Sequence, residues 1–322
     1  MSTALGLSER DVRRRQSGIG ASEVPAVIGL VPGIIDVYAR KVGESENQQA
    51  SDLLEFGHRI EDVISDAFVH RHPGLRTFKP GTLRHPKAAW ALATPDRVVA
   101  PPGVGRPPRE EWLDILEIKT VFFSGRDFGE SGSNEIPDKY LVQVAWQMAV
   151  TGMPHATLVA LVNGSYREYR IAREMELEEI LLAQVEKFWV DHVLARVPPP
   201  VDGSAAYGEY LRRRHPRDSG LMLPPSPETE ALTKRLRQAK AVLKEAEGAE
   251  AEAKQALQSV IGDASGIEGL CTWRTNKDSH KTDWEAVLRD FAATQDIWPE
   301  DLIKKHTTTK LGARVLRLIG KE

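Results

Sequence analysis

The spacing of apolar and polar residues changes along the chain, and the change predicts an α/β fold. In residues 52–72, Phe56, Ile60, Val63 and Ala67 recur every three or four positions, which is the period of an amphipathic helix. Further along, short runs rich in Val, Ile, Leu and Thr lie between turn residues and predict strands. These runs are 82–84, 91–100, 113–122, 157–162 and 166–171.

Helices are predicted before and after the last two of these strands. Residues 137–151 begin with a proline, which is tolerated in a first helical turn, and Gly152 follows their end. Residues 174–197 give another helical pattern, which the prolines at 198–200 terminate. The order of helices, three strands, helix and strand favours an α/β domain with a mixed central sheet flanked by helices.

The composition changes near residue 205 and predicts a domain boundary. Residues 206–227 contain a basic run at 212–215 and a proline-rich end at 224–227, a composition typical of connecting segments. We therefore predict a first domain at 1–205, a linker at 206–227 and a C-terminal extension at 228–322.

Residues 228–261 repeat apolar side chains at alternating steps of four and three. This spacing predicts one helix of about 50 Å whose heptad seam is interrupted once, at Glu250. The seam fits either a contact with another chain or arm, or an Ala-rich helix packed against its own chain, and we favour the second. The seam residues are Leu232, Leu236, Ala239, Leu243, Ala246, Glu250, Ala253, Leu257 and Val260.

The remainder, 266–322, predicts a small α+β unit. Residues 282–285 have the sequence of a capping box at the start of a helix, and 313–319 alternate like a strand. From residue 304 onward the chain is also rich in basic residues, with no acidic residue until Glu322. These basic side chains are candidates for DNA-backbone contacts, or else form a solvated charged face. They are Lys304, Lys305, Lys310, Arg314, Arg317 and Lys321.

Composition narrows the functional classes. The chain has 43 Lys and Arg against 46 Asp and Glu, a formal net charge of -3, so any nucleic-acid contact must come from local patches. A single cysteine, Cys271, excludes an intramolecular disulfide and a cysteine-ligated zinc or iron–sulfur site. The sequence contains no apolar run of about 18 residues and no apolar leader at its start, so we expect a cytoplasmic protein without a membrane contact.

The candidate chemistry lies in two strands, at 93–97 and 116–120. Because side chains on a strand alternate between faces, Glu117 and Lys119 point into the same space. A carboxylate can hold a hard divalent cation, an ammonium can position water or screen a phosphate, and Asp96 supplies a second carboxylate. The arrangement suits phosphodiester hydrolysis; the alternative is a surface salt bridge on a strand.

Other polar residues have one functional and one structural interpretation each. Backbone amides near residues 18–22, with the Ser22 hydroxyl, could hold a phosphate that Arg15 also contacts, or Ser22 could simply cap a helix. Glu61 lies at the edge of its helix and is either a site residue or a solvated one. Gln143 and Gln147, one helical turn apart, could orient a water molecule or satisfy polar groups in the core.

Five motifs occur in order over about the first 200 residues, and together they resemble the YqaJ-type viral recombinases, relatives of phage lambda exonuclease in the PD-(D/E)xK nuclease superfamily. The motifs are RRxSGIGAS at 14–22, FGHRIE at 56–61, ATPDR at 93–97, LEIKT at 116–120 and IPDKYLVQVAWQM at 136–148. The resemblance implies a restriction-endonuclease-like core.

The resemblance also implies roles for particular residues. Asp96 and Glu117 match metal-binding carboxylates, Glu61 matches the helical acid that completes the metal site, and the Ile118 carbonyl joins them. Lys119 matches the catalytic lysine. Gln143 matches the glutamine beside the attacking water. Arg15 and Ser22 match the pair that binds a 5′-phosphate. The implied cofactor is Mg²⁺, with Mn²⁺ as an alternative, at two ions per site.

The activity that the resemblance implies is a 5′ to 3′ exonuclease acting on duplex DNA ends. Such an enzyme releases mononucleotides, works as a ring-shaped trimer and passes a 3′ single-stranded tail to a phage annealing protein. One alternative is an endonuclease of the same superfamily. Another is a non-catalytic DNA-end adaptor, although such a protein has no need for Asp96, Glu117 and Lys119 together.

Overall fold

The computed structural model describes residues 16–45, 52–122, 127–276, 283–294, 303–304 and 307. The chain divides into two units, Met1–Arg214 and His215–Glu322. Over the described residues, no helix combines the length and apolar character needed to cross a membrane.

The first unit contains eight strands and six α-helices in its described residues. The strands are β1 (Ile19–Gly20), β2 (Arg76–Phe78), β3 (Leu83–Arg84), β4 (Ala91–Ala93), β5 (Arg97–Ala100), β6 (Asp114–Val121), β7 (His155–Val162) and β8 (Ser165–Ala172). The helices are α1 (Val24–Val27), α2 (Ile34–Val42), α3 (Asp52–Arg71), α4 (Asp138–Thr151), α5 (Met175–Phe188) and α6 (Ala205–Arg214).

The central sheet has five strands in the order β2-β5-β6-β7-β8. Strands β6 and β7 are parallel, with Glu117 opposite Leu158, whereas the other neighbouring pairs are antiparallel. The crossover from β6 to β7 contains α4, as parallel neighbours require. The predicted α/β fold with a mixed central sheet is therefore confirmed. A second sheet, in the order β1-β4-β3, pairs β1 parallel to β4.

The two faces of the central sheet are covered by different helices. On one face, Ile115 of β6 lies in a buried cluster with Val144 and Met148 of α4. On the other face, Leu116 and Ile118 cluster with Ile64 and Phe68 of α3. Because consecutive strand residues alternate between faces, Glu117 and Lys119 lie on the side of α4.

The segment after residue 205 differs from the predicted linker. Residues Ala205–Arg214 form α6, which contacts α2 within the first unit. Tyr207 and Tyr210 are buried, and the Tyr207 hydroxyl donates to the Pro199 carbonyl at 2.8 Å. Two tyrosine rings one turn apart supply enough apolar surface to hold an otherwise polar helix against the domain.

The second unit contains a long helix, α7 (Pro227–Ile261), over the stretch whose heptad spacing predicts one. Ser226 caps it by accepting from the Thr229 amide at 3.2 Å. Within α7 the only buried residue is Ile261, so packing of the seam against its own chain is not found among the described residues.

Beyond α7 lie an antiparallel pair, β9 (Gly266–Ile267) with β10 (Cys271–Thr272), and helix α8 (Trp284–Thr294). The first turn of α8 is capped by Asp283, whose carboxylate accepts from the Ala286 amide at 3.0 Å. The strand predicted at 313–319 lies outside the described residues. Of the basic tail, Lys304 is described and exposed, whereas Lys305, Lys310, Arg314, Arg317 and Lys321 fall outside that range.

Candidate active site

Asp96 lies where the pairing of β5 with β6 ends. The last β5 residue in register is Arg97, opposite Leu116. Asp96 and Pro95 precede Arg97 in the chain, and proline has no N–H to continue the pairing. The Ile118 amide instead donates to Asp96 Oδ2 at 2.8 Å. The turn therefore fixes Asp96 beside β6, on the strand edge to which the Ile118 peptide points.

Glu117 is buried, with 2% of its surface exposed, and both of its carboxylate oxygens are hydrogen-bonded. Lys119 Nζ donates to Oε1 at 2.6 Å, and Gln143 Nε2 donates to the same oxygen. Gln147 Nε2 donates to Oε2 at 2.6 Å. The structure therefore excludes a surface salt bridge, because an exposed pair would not be surrounded in this way.

The glutamines on α4 serve Glu117 directly. Residues four positions apart lie on one face of a helix, so Gln143 and Gln147 reach the same carboxylate. Gln147 Oε1 is buried and has no hydrogen-bond partner in the structure. Burying an amide oxygen without a hydrogen-bond donor costs free energy. A donor bound at this end of the site would therefore satisfy Gln147 Oε1.

The charges in the site oppose one another. Burial, together with the charges of Glu117 and Glu61, raises the pKa of Asp96 well above its ordinary value, although Lys119 acts in the opposite direction. Burial alone would lower the pKa of Lys119, but the carboxylates of Glu117 and Asp96 outweigh it and raise that pKa. Lys119 is therefore a cation held between two acidic groups.

Glu61 approaches the site from the opposite side of the sheet. It belongs to α3, which packs on the face of Leu116 and Ile118 rather than that of Glu117. Its charge nevertheless acts on Asp96, at the end of β5.

Arg97 is a neighbour of Asp96 that sequence reasoning did not single out. It is buried, donates to the Asp96 carbonyl at 2.6 Å, and forms an ion pair with Asp62 of α3. Its position directly after Asp96 in the ATPDR motif was the available indication. Tyr140 was also not predicted; its ring centroid lies 5.5 Å from Lys119 Nζ.

Ser22 is exposed in a 3₁₀ turn, Ala21–Glu23, and caps neither this turn nor α1. The Gly20 amide donates instead to Glu23 Oε2 at 2.8 Å. Ser22 comes just after β1, and Pro95 and Asp96 come just after β4. Because β1 runs parallel to β4, these residues lie at the same end of the sheet. The simple helix-cap interpretation is therefore wrong. Arg15 lies outside the described residues.

The GIGAS segment needs glycine for packing reasons. A Cβ at Gly18 would lie 2.2 Å from the Trp90 carbonyl oxygen, so no larger residue fits without moving the backbone. Behind it, the buried Lys41 places Nζ 2.6 Å from Glu23 Oε2. This ion pair links α2 to the turn and was not predicted, since nothing in the local sequence connects the two residues.

The donor set fits a hard divalent cation. Asp96 and Glu117 offer carboxylate oxygens, and the Ile118 carbonyl lies on the same strand edge as the amide that holds Asp96. A cation would also offset the burial and the carboxylate repulsion that raise the pKa of Asp96. Among the described residues, however, no group of three or more His, Cys, Asp or Glu side chains is placed to hold an ion.

Comparisons with known proteins agree with the motifs. A sequence model of the YqaJ-like viral recombinase domain matches residues 12–154. The chain is 32% identical over 211 residues to protein YqaJ of Bacillus subtilis (strain 168). That match covers 62% of this chain and 61% of the length of the relative.

Two solved structures are similar in backbone structure to part of this chain. An alkaline exonuclease, LHK-Exo, from Laribacter hongkongensis matches with a TM-score of 0.45 and 18% identity, over 64% of this chain and 97% of the exonuclease. The same protein in complex with dAMP matches with a TM-score of 0.44. At these scores the likeness carries no weight for function. Asp96, Glu117, Lys119 and Gln143 all lie within the segment that the family model matches. Residues 12–154 are therefore similar to the YqaJ-like viral recombinase domain, and this segment carries the resemblance.

Proposed function

We propose that this chain is a metal-dependent exonuclease of homologous recombination, acting on duplex DNA ends in the 5′ to 3′ direction. The observation that carries the proposal is the contact set of Asp96, buried Glu117 and Lys119 within the matched family segment. Two acids and a lysine gathered at one place, with one acid buried, are costly to maintain, and hydrolysis of a phosphodiester gives them a use.

Asp96, Glu117 and the Ile118 carbonyl are the groups that would hold a divalent ion, with Glu61 adding negative charge near a second one. We assign Mg²⁺, with Mn²⁺ as an alternative. When bound, two such ions would stabilise the attacking and the leaving oxygens of the phosphodiester. Gln143 and Gln147 hold the Glu117 carboxylate in a fixed orientation, because both donate to it.

Lys119 acts in this proposal as a cation and not as a base. Its raised pKa leaves it protonated at neutral pH, so it can donate to a water or to a phosphate oxygen but cannot accept a proton. A charged donor beside the scissile phosphate stabilises the negative charge that develops in the transition state.

The 5′ to 3′ direction of digestion would be set by the exposed Ser22 hydroxyl and Arg15, which would bind a terminal 5′-phosphate. The support is that Ser22 follows β1 at the same sheet end from which Asp96 emerges. A ring-shaped trimer and transfer of the 3′ tail to an annealing protein complete the proposal; their support is the family resemblance. Basic residues of the tail, including Lys304, are proposed contacts to the DNA backbone.

The test is digestion of linear duplex DNA labelled at either its 5′ or its 3′ end, beside a closed circle, in Mg²⁺ or EDTA. Early release of the 5′ label as mononucleotide, with intact circles and complete inhibition by EDTA, is the expected result. Lys119→Ala should bind the duplex like the wild type while losing at least 100-fold in cleavage rate, since transition-state groups contribute on that order.

Two outcomes would contradict the proposal. Nicked circles would indicate an endonuclease. Binding without cleavage in Mg²⁺ or Mn²⁺ would indicate an adaptor that only recognises DNA ends. Normal turnover by Lys119→Ala would remove that residue from the site while leaving the exonuclease assignment intact.

A further inference from the structure

Helix α7 exposes a row of large apolar side chains along its length. Leu232, Leu243, Leu257 and Val260 are 56%, 58%, 43% and 78% exposed. These residues belong to the heptad seam, so the exposure is one continuous stripe and not scattered surface residues. A helix of 35 residues with one buried residue gains little from its own chain, which leaves the stripe available to a partner.

The charges on α7 divide into two bands. Residues 231–244 contain five basic side chains and no acid, whereas residues 245–253 contain four acidic side chains and no base. The basic residues are Lys234, Arg235, Arg237, Lys240 and Lys244, and the acidic residues are Glu245, Glu247, Glu250 and Glu252. Two copies aligned in parallel would place like charges together. Antiparallel copies would place each basic band on an acidic one.

We propose that α7 pairs antiparallel with α7 of a second copy of this chain, centred between Lys244 and Glu245. In this register the acidic band lies wholly opposite the basic band of the partner. The heptad positions then match as well, because in an antiparallel coiled coil each first heptad position faces a fourth position of the partner.

The seam is complementary in size in this register. Its large residues fall at first positions and its alanines at fourth positions, so each layer pairs one large with one small side chain, except at the ends. The layers are Leu236 with Ala253, Leu243 with Ala246, Glu250 with Ala239 and, at each end, Leu257 with Leu232. Small residues opposite large ones let the helices approach closely and bury the exposed leucines. Lys240 lies beside Glu247 of the partner along one flank.

This pairing explains two features that otherwise cost stability. The seam carries alanines at three successive fourth positions, which would make a weak interface if they faced one another. Glu250, which interrupts the seam, lies opposite Ala239 and within reach of the basic band of the partner, so its charge is compensated.

The first test is the mass of the full chain in solution, by sedimentation equilibrium. Ala246→Asp places a charge in the central layer of the seam. Ala241→Asp makes the same change on the opposite side of the helix, and both alanines are exposed in the single chain. We expect Ala246→Asp to halve the number of chains in the assembly, whatever contacts the first unit makes, and Ala241→Asp to leave it unchanged.

Equal masses for the wild type and both variants would overturn the proposal. If Ala246→Asp also lowered the unfolding temperature at unchanged mass, the stripe would be covered by the rest of its own chain, such as residues 295–322. An Ala246→Asp variant with DNA affinity reduced and mass unchanged would show a nucleic-acid surface instead. None of these readouts depends on nuclease activity, so they do not test the proposed function.

The second test fixes the direction of the pair. In a Cys271→Ser background, Ala239→Cys and Glu250→Cys chains are mixed, refolded together and oxidised with copper–phenanthroline. We expect a disulfide-linked dimer from the mixture and not from Ala239→Cys alone, whose two thiols would lie about 16 Å apart along the axis, eleven residues at 1.5 Å each. Equal cross-linking of Ala239→Cys alone would show a parallel pair and overturn the assignment.

Discussion

The two-residue period of a strand determines on which face Glu117 and Lys119 lie. The alternation of side chains along a strand is enough to predict that both lie on one face, and the 2.6 Å contact between them follows from it. The sequence could not show that Glu117 is buried or that both glutamines donate to it. Those facts depend on where α4 packs, which is a property of tertiary contacts and not of the local pattern.

Asp114 provides a residue-level prediction at the start of the same strand. It is buried, accepts from the Thr157 hydroxyl at 2.7 Å, and leaves Oδ1 without a hydrogen-bond partner. Burial raises the pKa of Asp114 to about 6. The folded carboxyl therefore holds its proton more tightly than the unfolded one, so stability from this group is present at low pH and is lost as pH rises towards 6.

Asp114→Asn removes this titration and retains an acceptor for Thr157. We expect urea unfolding to show that the wild type loses on the order of 3 kcal/mol relative to the variant between pH 3 and pH 7. Asp66→Asn, at an exposed position of α3, is the matched control. Parallel pH profiles for the wild type and Asp114→Asn would contradict the prediction.

At the scale of elements, most helices and strands were predictable because their apolar spacing agrees with their final environment. Helix α6 was missed for the opposite reason. Its segment has the Gly, Ser and Arg content of a linker, and its two tyrosines gain their burial from α2, a helix far earlier in the chain. The Tyr210 hydroxyl donates to Glu44 Oε2 at 3.0 Å, a contact that no local pattern predicts.

Substitutions at Tyr210 should measure how firmly α6 is attached. Tyr210→Ala removes a buried ring that meets Tyr38 edge-on, with centroids 6.4 Å apart, and should cost about 3 kcal/mol in urea unfolding of the full chain. Tyr210→Phe removes only the hydroxyl, which donates to Glu44 and accepts from Arg214, and should cost about 1 kcal/mol. Leu211→Ala, at the exposed neighbouring position, is the control. An equal cost at Tyr210 and Leu211 would show that α6 does not pack as described.

For the whole molecule, the division after Arg214 predicts where proteases cut. Residues 215–225 are exposed throughout, and Leu221 and Met222 offer two adjacent chymotrypsin sites. Limited chymotrypsin digestion should release a stable N-terminal fragment ending near residue 221, identified by mass spectrometry. This fragment should keep the nuclease activity proposed for the first unit. Early cleavage within 127–214 would contradict the division.

Strand β6 is the third of five strands, with β5 on one side and β7 on the other. The segment that carries Glu117 and Lys119 pairs with β7 along its length, and on the other side the Asp96 carboxylate accepts from the Ile118 amide, so this segment is poorly able to open by itself. The chemistry of the site is tied to the cooperative melting of the domain. Heating should leave the arrangement of these two residues intact until the domain unfolds as a whole, so loss of catalytic competence and loss of structure should share one temperature.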